Sequence, residues 1–167
     1  MQAMVIRPAR PEDVDAIARL LKASAESQGE PHALCVTAAD LLREGFGKAP
    51  RFHALLADAG GEIAGLALYV FHFSTWTSIN GIHLEDLYVS PEWRGRGVAR
   101  ALMRELTDIA RRAGCRRLRW FVLRSNEGAR RFYESIGAET LADWVYMQVD
   151  PRTGASESGD AADRTRA

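Results

Sequence analysis

Leu84-Glu85-Asp86-Leu87-Tyr88-Val89-Ser90-Pro91-Glu92-Trp93-Arg94-Gly95-Arg96-Gly97-Val98-Ala99-Arg100 reads as a buried strand, a turn broken by two glycines, and the start of a long helix. Glycines at 95 and 97 let the backbone curl without a Cβ in the way, so several N–H groups can point at one anion. A helix starting there adds its unpaired donors and the positive end of its dipole. That chemistry suits a pyrophosphate. Arg96, Arg100 and Arg104 recur every fourth residue along one helix face, where one of them can meet a second phosphate of the same ligand. Spacing alone leaves another reading open, in which the glycines only make a tight turn and the arginines form a solvated face. The stretch is not a P-loop, because no Gly-Lys-Ser/Thr follows. Nor is it Gly-x-Gly-x-x-Gly, because position 100 is Arg.

Working outward, the spacing of Val98, Leu102, Leu106, Ile109 and Ala113 predicts a helix over Gly97–Ala113, stopped by Gly114. Upstream, strands are expected at Met4–Arg7, Phe52–Asp58, Ile63–Phe73 and Ile82–Val89, with a hairpin at Ala59-Gly60-Gly61. A helix opens at Pro11-Glu12-Asp13 and gives way to a loop over Ser24–Pro31. A second helix over Ala38–Glu44 is capped by Thr37. Downstream come a strand at Leu118–Leu123, a helix at Glu127–Ser135 ended by Gly137, and a last strand at Trp144–Val149. The order β-α-α-β-β-β-α-β-α-β predicts a mixed α/β sheet with parallel pairing where a long helix crosses over.

The 167 residues suit one domain, and 47% apolar with 26% charged residues is ordinary globular composition. The domain is expected over residues 1–150, followed by a disordered polar tail over 151–167 that has no Leu, Ile, Val or aromatic residue. Twenty-two basic and 22 acidic side chains cancel, which argues against nucleic acid or a membrane surface as partner. No apolar run approaches a membrane span and no signal peptide is visible. Cys35 and Cys115 lack any zinc spacing, no metal is expected, and both read as reduced core thiols of a cytoplasmic protein.

Arg94-Gly95-x-Gly97-x-Ala99 after Leu87-Tyr88-Val89-x-Pro91 resembles the acetyl-CoA signature of the GNAT acetyltransferases, Arg/Gln-x-x-Gly-x-Gly/Ala. Asn126 followed by Ala129-Arg130-Arg131-Phe132-Tyr133-Glu134-Ser135-Ile136-Gly137-Ala138 is similar to that family's second block. A narrower resemblance runs through Val5-Ile6-Arg7-Pro8-Ala9, Thr37 with Asp40-Leu41, Gly45-Phe46-Gly47, Phe52-His53, Leu84-Glu85-Asp86 and Phe132-Tyr133. These look like the diamine N-acetyltransferases, the spermidine/spermine and thialysine group. That group usually carries a carboxylate-rich segment before the second helix and a Trp-Asn pair after the fifth strand. Here Ser24–Val36 holds only Glu26 and Glu30, and the pair is Ser125-Asn126, which leaves recognition of a long polycation open.

The resemblance implies a GNAT fold, a mostly antiparallel sheet with one splayed parallel pair, and acetyl-CoA as donor. It implies cofactor contacts from Leu87, Tyr88, Val89, Arg94, Gly95, Arg96, Gly97, Val98, Ala99, Arg100, Asn126 and Ala129. A bulge or splay in Leu84–Val89 would free a backbone N–H near Leu87–Val89 for the thioester carbonyl. Tyr133 is the candidate acid, since a phenol of ordinary pKa, about 10, is protonated at neutral pH; packing beside Phe132 is the alternative. Glu85 and Asp86 are adjacent on a strand, so alternation sends them to opposite faces. The family match favours Glu85 as base, directly or through a water, with Asp86 helping to hold the cation. His72 and His83 read as core groups, although His83 could share base duty; Trp76 sits in the turn between two strands, where simple packing is favoured over a cation–π contact with an amine. The expected partner is a small amine, with a homodimer implied by the resemblance. An aminoglycoside-like acceptor, a protein N-terminus and a non-catalytic CoA-binding module are the alternatives.

Overall fold

The computed structural model describes residues 4–75 and 79–149. Trp76 and the tail over 151–167 therefore lie outside the described residues. The chain divides into two compact units, the first ending at Arg130 and the second beginning at Arg131. The first holds a five-stranded sheet in the order β1-β2-β3-β4-β5. Its strands are β1 (Val5–Pro8), β2 (His53–Asp58), β3 (Ile63–Ser74), β4 (Ile79–Val89) and β5 (Leu118–Arg119). Successive pairs from β1 to β4 are antiparallel, while β4 and β5 run parallel across the helix that joins them.

Alternation along β3 divides the core between two layers. Leu66 and Leu68 join Leu56 and Tyr88 in a cluster with Ile17, Leu20 and Leu21 of α1 (Val14–Ser27) and Leu41 of α2 (Ala38–Phe46). Ala67 and Tyr69 turn the other way, towards α3 (Val98–Arg112), whose buried stripe is Val98, Leu102, Met103, Leu106 and Ala110. Each fully buried leucine contributes roughly 1.5–3 kcal/mol. At the sheet's far edge Arg7 ties β1 to its neighbours, donating to Asp13 at 2.7 and 2.8 Å and to Asp58 at 2.8 Å. Hydrogen bonding to Arg7 holds the Asp13 carboxyl below the usual carboxylate range.

Four expectations change. The first helix runs past Ser24 to Ser27, because Ser24 is buried and its carbonyl accepts from the Ser27 hydroxyl at 2.8 Å. The strand expected over Leu118–Leu123 is only Leu118–Arg119, since no β4 backbone pairs with the chain past His83↔Arg119. Neither cysteine is a core residue. Cys35 is exposed in the α1–α2 loop, and Cys115 is partly exposed just beyond Gly114, both as free thiols.

The fourth change is in the second unit. It opens within α4 (Glu127–Ser135), which ends as Gly137 and Ala138 donate back to Glu134 and Tyr133. The expected strand over Trp144–Val149 is absent. Trp144, Val145, Tyr146, Met147 and Val149 are all exposed, and β-propensity makes no strand without a neighbouring ladder. Among the described residues no helix is long and apolar enough to cross a membrane.

Candidate active site

The glycine turn is built at the end of β4. Ser90 N–H donates to Ala64 O at 2.9 Å, and a single turn over Pro91–Trp93 redirects the chain. Gly95 and Gly97 take φ of 72° and 80°, the left-handed region that a side chain resists. A Cβ on either would meet no atom within 4 Å, so both backbones face open space. Gly97 precedes the first residue of α3 and accepts the first helical bond, from Ala101 N–H at 3.0 Å. The N–H groups of the helix's first turn, from Val98 on, precede that first bond and point towards the turn's side of the helix. Val98 is buried and anchors the helix start, while Arg94, Arg96 and Arg100 are exposed.

Arg94 is folded back onto the strand. Its Nε donates to Val89 O at 3.1 Å, and its guanidinium lies 5.7 Å from the Tyr88 ring centroid. Arg96 instead sits 5.1 Å from the ring of Trp93. The Trp93 indole N–H in turn donates to Glu62 Oε1 at 2.9 Å. Neither Trp93 nor Glu62 stood out in the sequence, because nothing local joins a carboxylate of the β2–β3 turn to a ring 31 residues later.

The carboxylates of β4 sit on a bulge. Leu66↔Tyr88, Ala67↔Leu87 and Leu68↔Asp86 pair in step, but the next pair is Tyr69↔Leu84, leaving Glu85 as an extra residue. Simple alternation therefore fails here, and it no longer fixes the faces that the two acids take. Burial first, and the nearby Glu85 charge second, push the Asp86 carboxyl up. Glu85 is half-exposed, with Oε1 3.9 Å from His83 Nε2. His83 is partly buried against the ring of Phe121, centroids 5.0 Å apart. Leu87, Tyr88 and Val89 continue the strand inward past the last β4–β5 pair, His83↔Arg119.

At the start of α4, Asn126 Oδ1 accepts from Ala129 N–H at 3.1 Å, so the asparagine caps its own helix. Tyr133 belongs to the second unit. Its ring stands beside Phe132, centroids 5.3 Å apart, and burial pushes its phenol up to about 12.

A left-handed glycine pair opening a helix, beside a bulged acidic strand, matches what the sequence comparison returns. The profile of the Acetyltransferase (GNAT) family covers residues 15–138. The chain belongs to the GNAT acetyltransferase family. This GNAT protein is an N-acetyltransferase, 35% identical over 161 residues to a thialysine N-epsilon-acetyltransferase of Mus musculus, across 90% of this chain and 94% of the relative. It is 34% identical over 149 residues to the Homo sapiens spermidine/spermine N(1)-acetyltransferase-like protein 1, across 85% of this chain and 21% of that protein. In fold this GNAT chain is similar to an integron cassette protein from the mobile metagenome of V. cholerae, with TM-score 0.74, 24% identity, and 90% and 93% of the two chains covered.

GNAT acetyltransferases take acetyl from acetyl-CoA. The open space over Gly95 and Gly97, where a Cβ would intrude, fits the close approach of that donor's diphosphate. What such a donor supplies is an activated thioester carbonyl. What this GNAT chain must supply is a place to hold it, a neutral amine, a donor for the developing oxyanion and a proton for the thiolate.

Proposed function

We propose that the chain transfers acetyl from acetyl-CoA, by direct attack, to the primary amine of a small cationic molecule: a diamine, a polyamine or a lysine-like amino acid. The observation that carries this reading is the bulge, where Glu85 and Asp86 stand close enough for one charge to raise the pKa of the other. Two acids crowded together, one of them largely desolvated, gain by meeting a cation. The names of the relatives support the same acceptor class, since they include thialysine and spermidine/spermine acetyltransferases.

In this reading Gly95, Arg96, Gly97, Val98, Ala99 and Arg100 hold the diphosphate, with Arg94 and Asn126 bracing the turn and the helix on either side. Ala129 and the strand Leu87–Val89 flank the pantetheine arm, and a backbone N–H near Leu87–Val89 polarises the thioester oxygen. Glu85 removes a proton from the ammonium, directly or through a water, so that the amine can attack. Asp86 holds the cationic acceptor. Tyr133 returns a proton to the departing sulfur. On family resemblance alone we also propose a cytoplasmic homodimer; a sedimenting species at the monomer mass would remove the dimer.

The test compares a diamine with a neutral-tailed monoamine of similar length, following thiol release. Charge-assisted contacts at the acidic pair predict a kcat/KM about tenfold or more higher for the diamine. The rate should climb with pH as the acceptor loses its proton, because only the free base is nucleophilic. Equal kcat/KM for the two amines would move the acceptor to an aminoglycoside-like compound or a protein N-terminus. Acetyl-CoA binding with no turnover on any amine would leave a CoA-binding module.

A further inference from the structure

The β2–β3 hairpin reaches the glycine turn through one side chain. Glu62, exposed at the foot of β3, accepts from the Trp93 indole N–H at 2.9 Å, and Trp93 stands two residues before Gly95. The other face of the contact is Arg96, whose guanidinium lies 5.1 Å from the same ring. Glu62 thus meets the edge of the indole at its N–H, and Arg96 meets its face. That arrangement matters electrostatically. A direct Glu62–Arg96 ion pair would neutralise the cation and compete with any anion for it. The indole instead spends its N–H on the carboxylate and offers its electron-rich face to the guanidinium, which restrains Arg96 without cancelling its charge. Arg96 forms no ion pair among the described residues, whereas Arg111 and Arg112 at the far end of α3 pair with Asp108 and Glu105 at 2.8 and 2.9 Å.

We propose that Trp93, braced by Glu62, is a positioning residue for the donor's diphosphate, holding the Arg96 guanidinium over the Gly95–Ala99 turn. This rests on the reading of that turn as the acetyl-CoA cradle. The brace acts on one part of the donor, the diphosphate, and leaves the thioester and its chemistry alone.

S-acetylpantetheine separates the two, because it carries the same thioester and arm but no diphosphate. The parent enzyme should prefer acetyl-CoA strongly. Trp93→Leu and Glu62→Leu should each lower kcat/KM for acetyl-CoA by about tenfold, through KM, from the loss of a cation–π contact or its supporting hydrogen bond. Activity with S-acetylpantetheine should not change. Trp93→Phe, which keeps a ring but loses the N–H, should fall between, and Glu62→Gln, which still offers an acceptor oxygen, should stay near the parent. An equal loss with both donors would make Trp93 a packing residue and overturn the proposal, as would unchanged acetyl-CoA kinetics in the two Leu variants. Glu62 is exposed, so its variants fold even where Trp93→Leu does not. A parent enzyme that fails to prefer acetyl-CoA would overturn the cradle and the brace together, which is a different result from a parent that prefers it and variants that keep the preference.

Discussion

A phenol pushed up to about 12 by burial stays protonated throughout the range in which an amine can be acetylated. In the proposed reaction Tyr133 would therefore act as a standing proton donor rather than a switch. Tyr133→Phe keeps the ring beside Phe132, so stability should change by no more than about 1 kcal/mol, the net worth of one hydrogen bond. With the proton gone, kcat should fall roughly a hundredfold or more while acetyl-CoA affinity holds. Turnover within about twofold of the parent, far inside the range of general acid catalysis, would make Tyr133 a packing residue. The pH sign is also fixed. The folded phenol's pKa lies above the free value of 10.0, so the parent loses stability as pH rises from there to about 12, and the Phe variant should lose less over that window. At this scale most of the candidate residues were readable from two local motifs. Trp93 and Glu62 were not, because a hydrogen bond spanning 31 residues leaves no mark on either neighbourhood.

Elements whose ends are set by short-range bonds came out close to their expected limits. Thr37 caps α2: its hydroxyl accepts from Asp40 N–H at 3.2 Å, and the Asp40 carboxylate accepts from Thr37 N–H at 3.1 Å. Hydrogen bonds first from Thr37 and then from Arg43 lower the Asp40 carboxyl to about 2. Since the folded pKa is depressed, this contribution is complete above the ordinary value of 3.8 and is lost as pH falls through about 2. Thr37→Ala should cost about 1 kcal/mol at neutral pH. Its acid unfolding curve should also be shallower than the parent's between those two values, read by denaturant titration at each pH; parallel curves would mean the cap is not what holds Asp40 ionised. Elements that need a distant partner behaved differently. Leu118–Leu123 and Trp144–Val149 have equally good strand composition, yet the first pairs for only two residues and the second not at all.

For the whole molecule, the segment after Asp150 has no Leu, Ile, Val or aromatic side chain to dock. Ending the chain after Pro151 should leave melting temperature and turnover nearly unchanged; a fall of many degrees would mean that the tail packs on the fold or on another subunit. What the sequence by itself determined is the set of features made by residues a few positions apart. Those are the left-handed turn at Gly95 and Gly97, the α3 stripe as far as Val98, Leu102 and Leu106 (Ile109 is only partly buried, and Ala113 lies exposed past the helix end), the Thr37 cap and the β2–β3 hairpin. Each rests on i to i+3 or i+4 bonds, or on a dihedral that only glycine adopts freely. Only the tertiary structure decided that Glu85 is an extra residue in β4, that β5 leaves β4 after His83↔Arg119, and that Glu62 braces Trp93. The reason is that a strand's register and length belong to the backbone lying alongside it. A period of two residues is the same whether or not one residue is slipped against that partner.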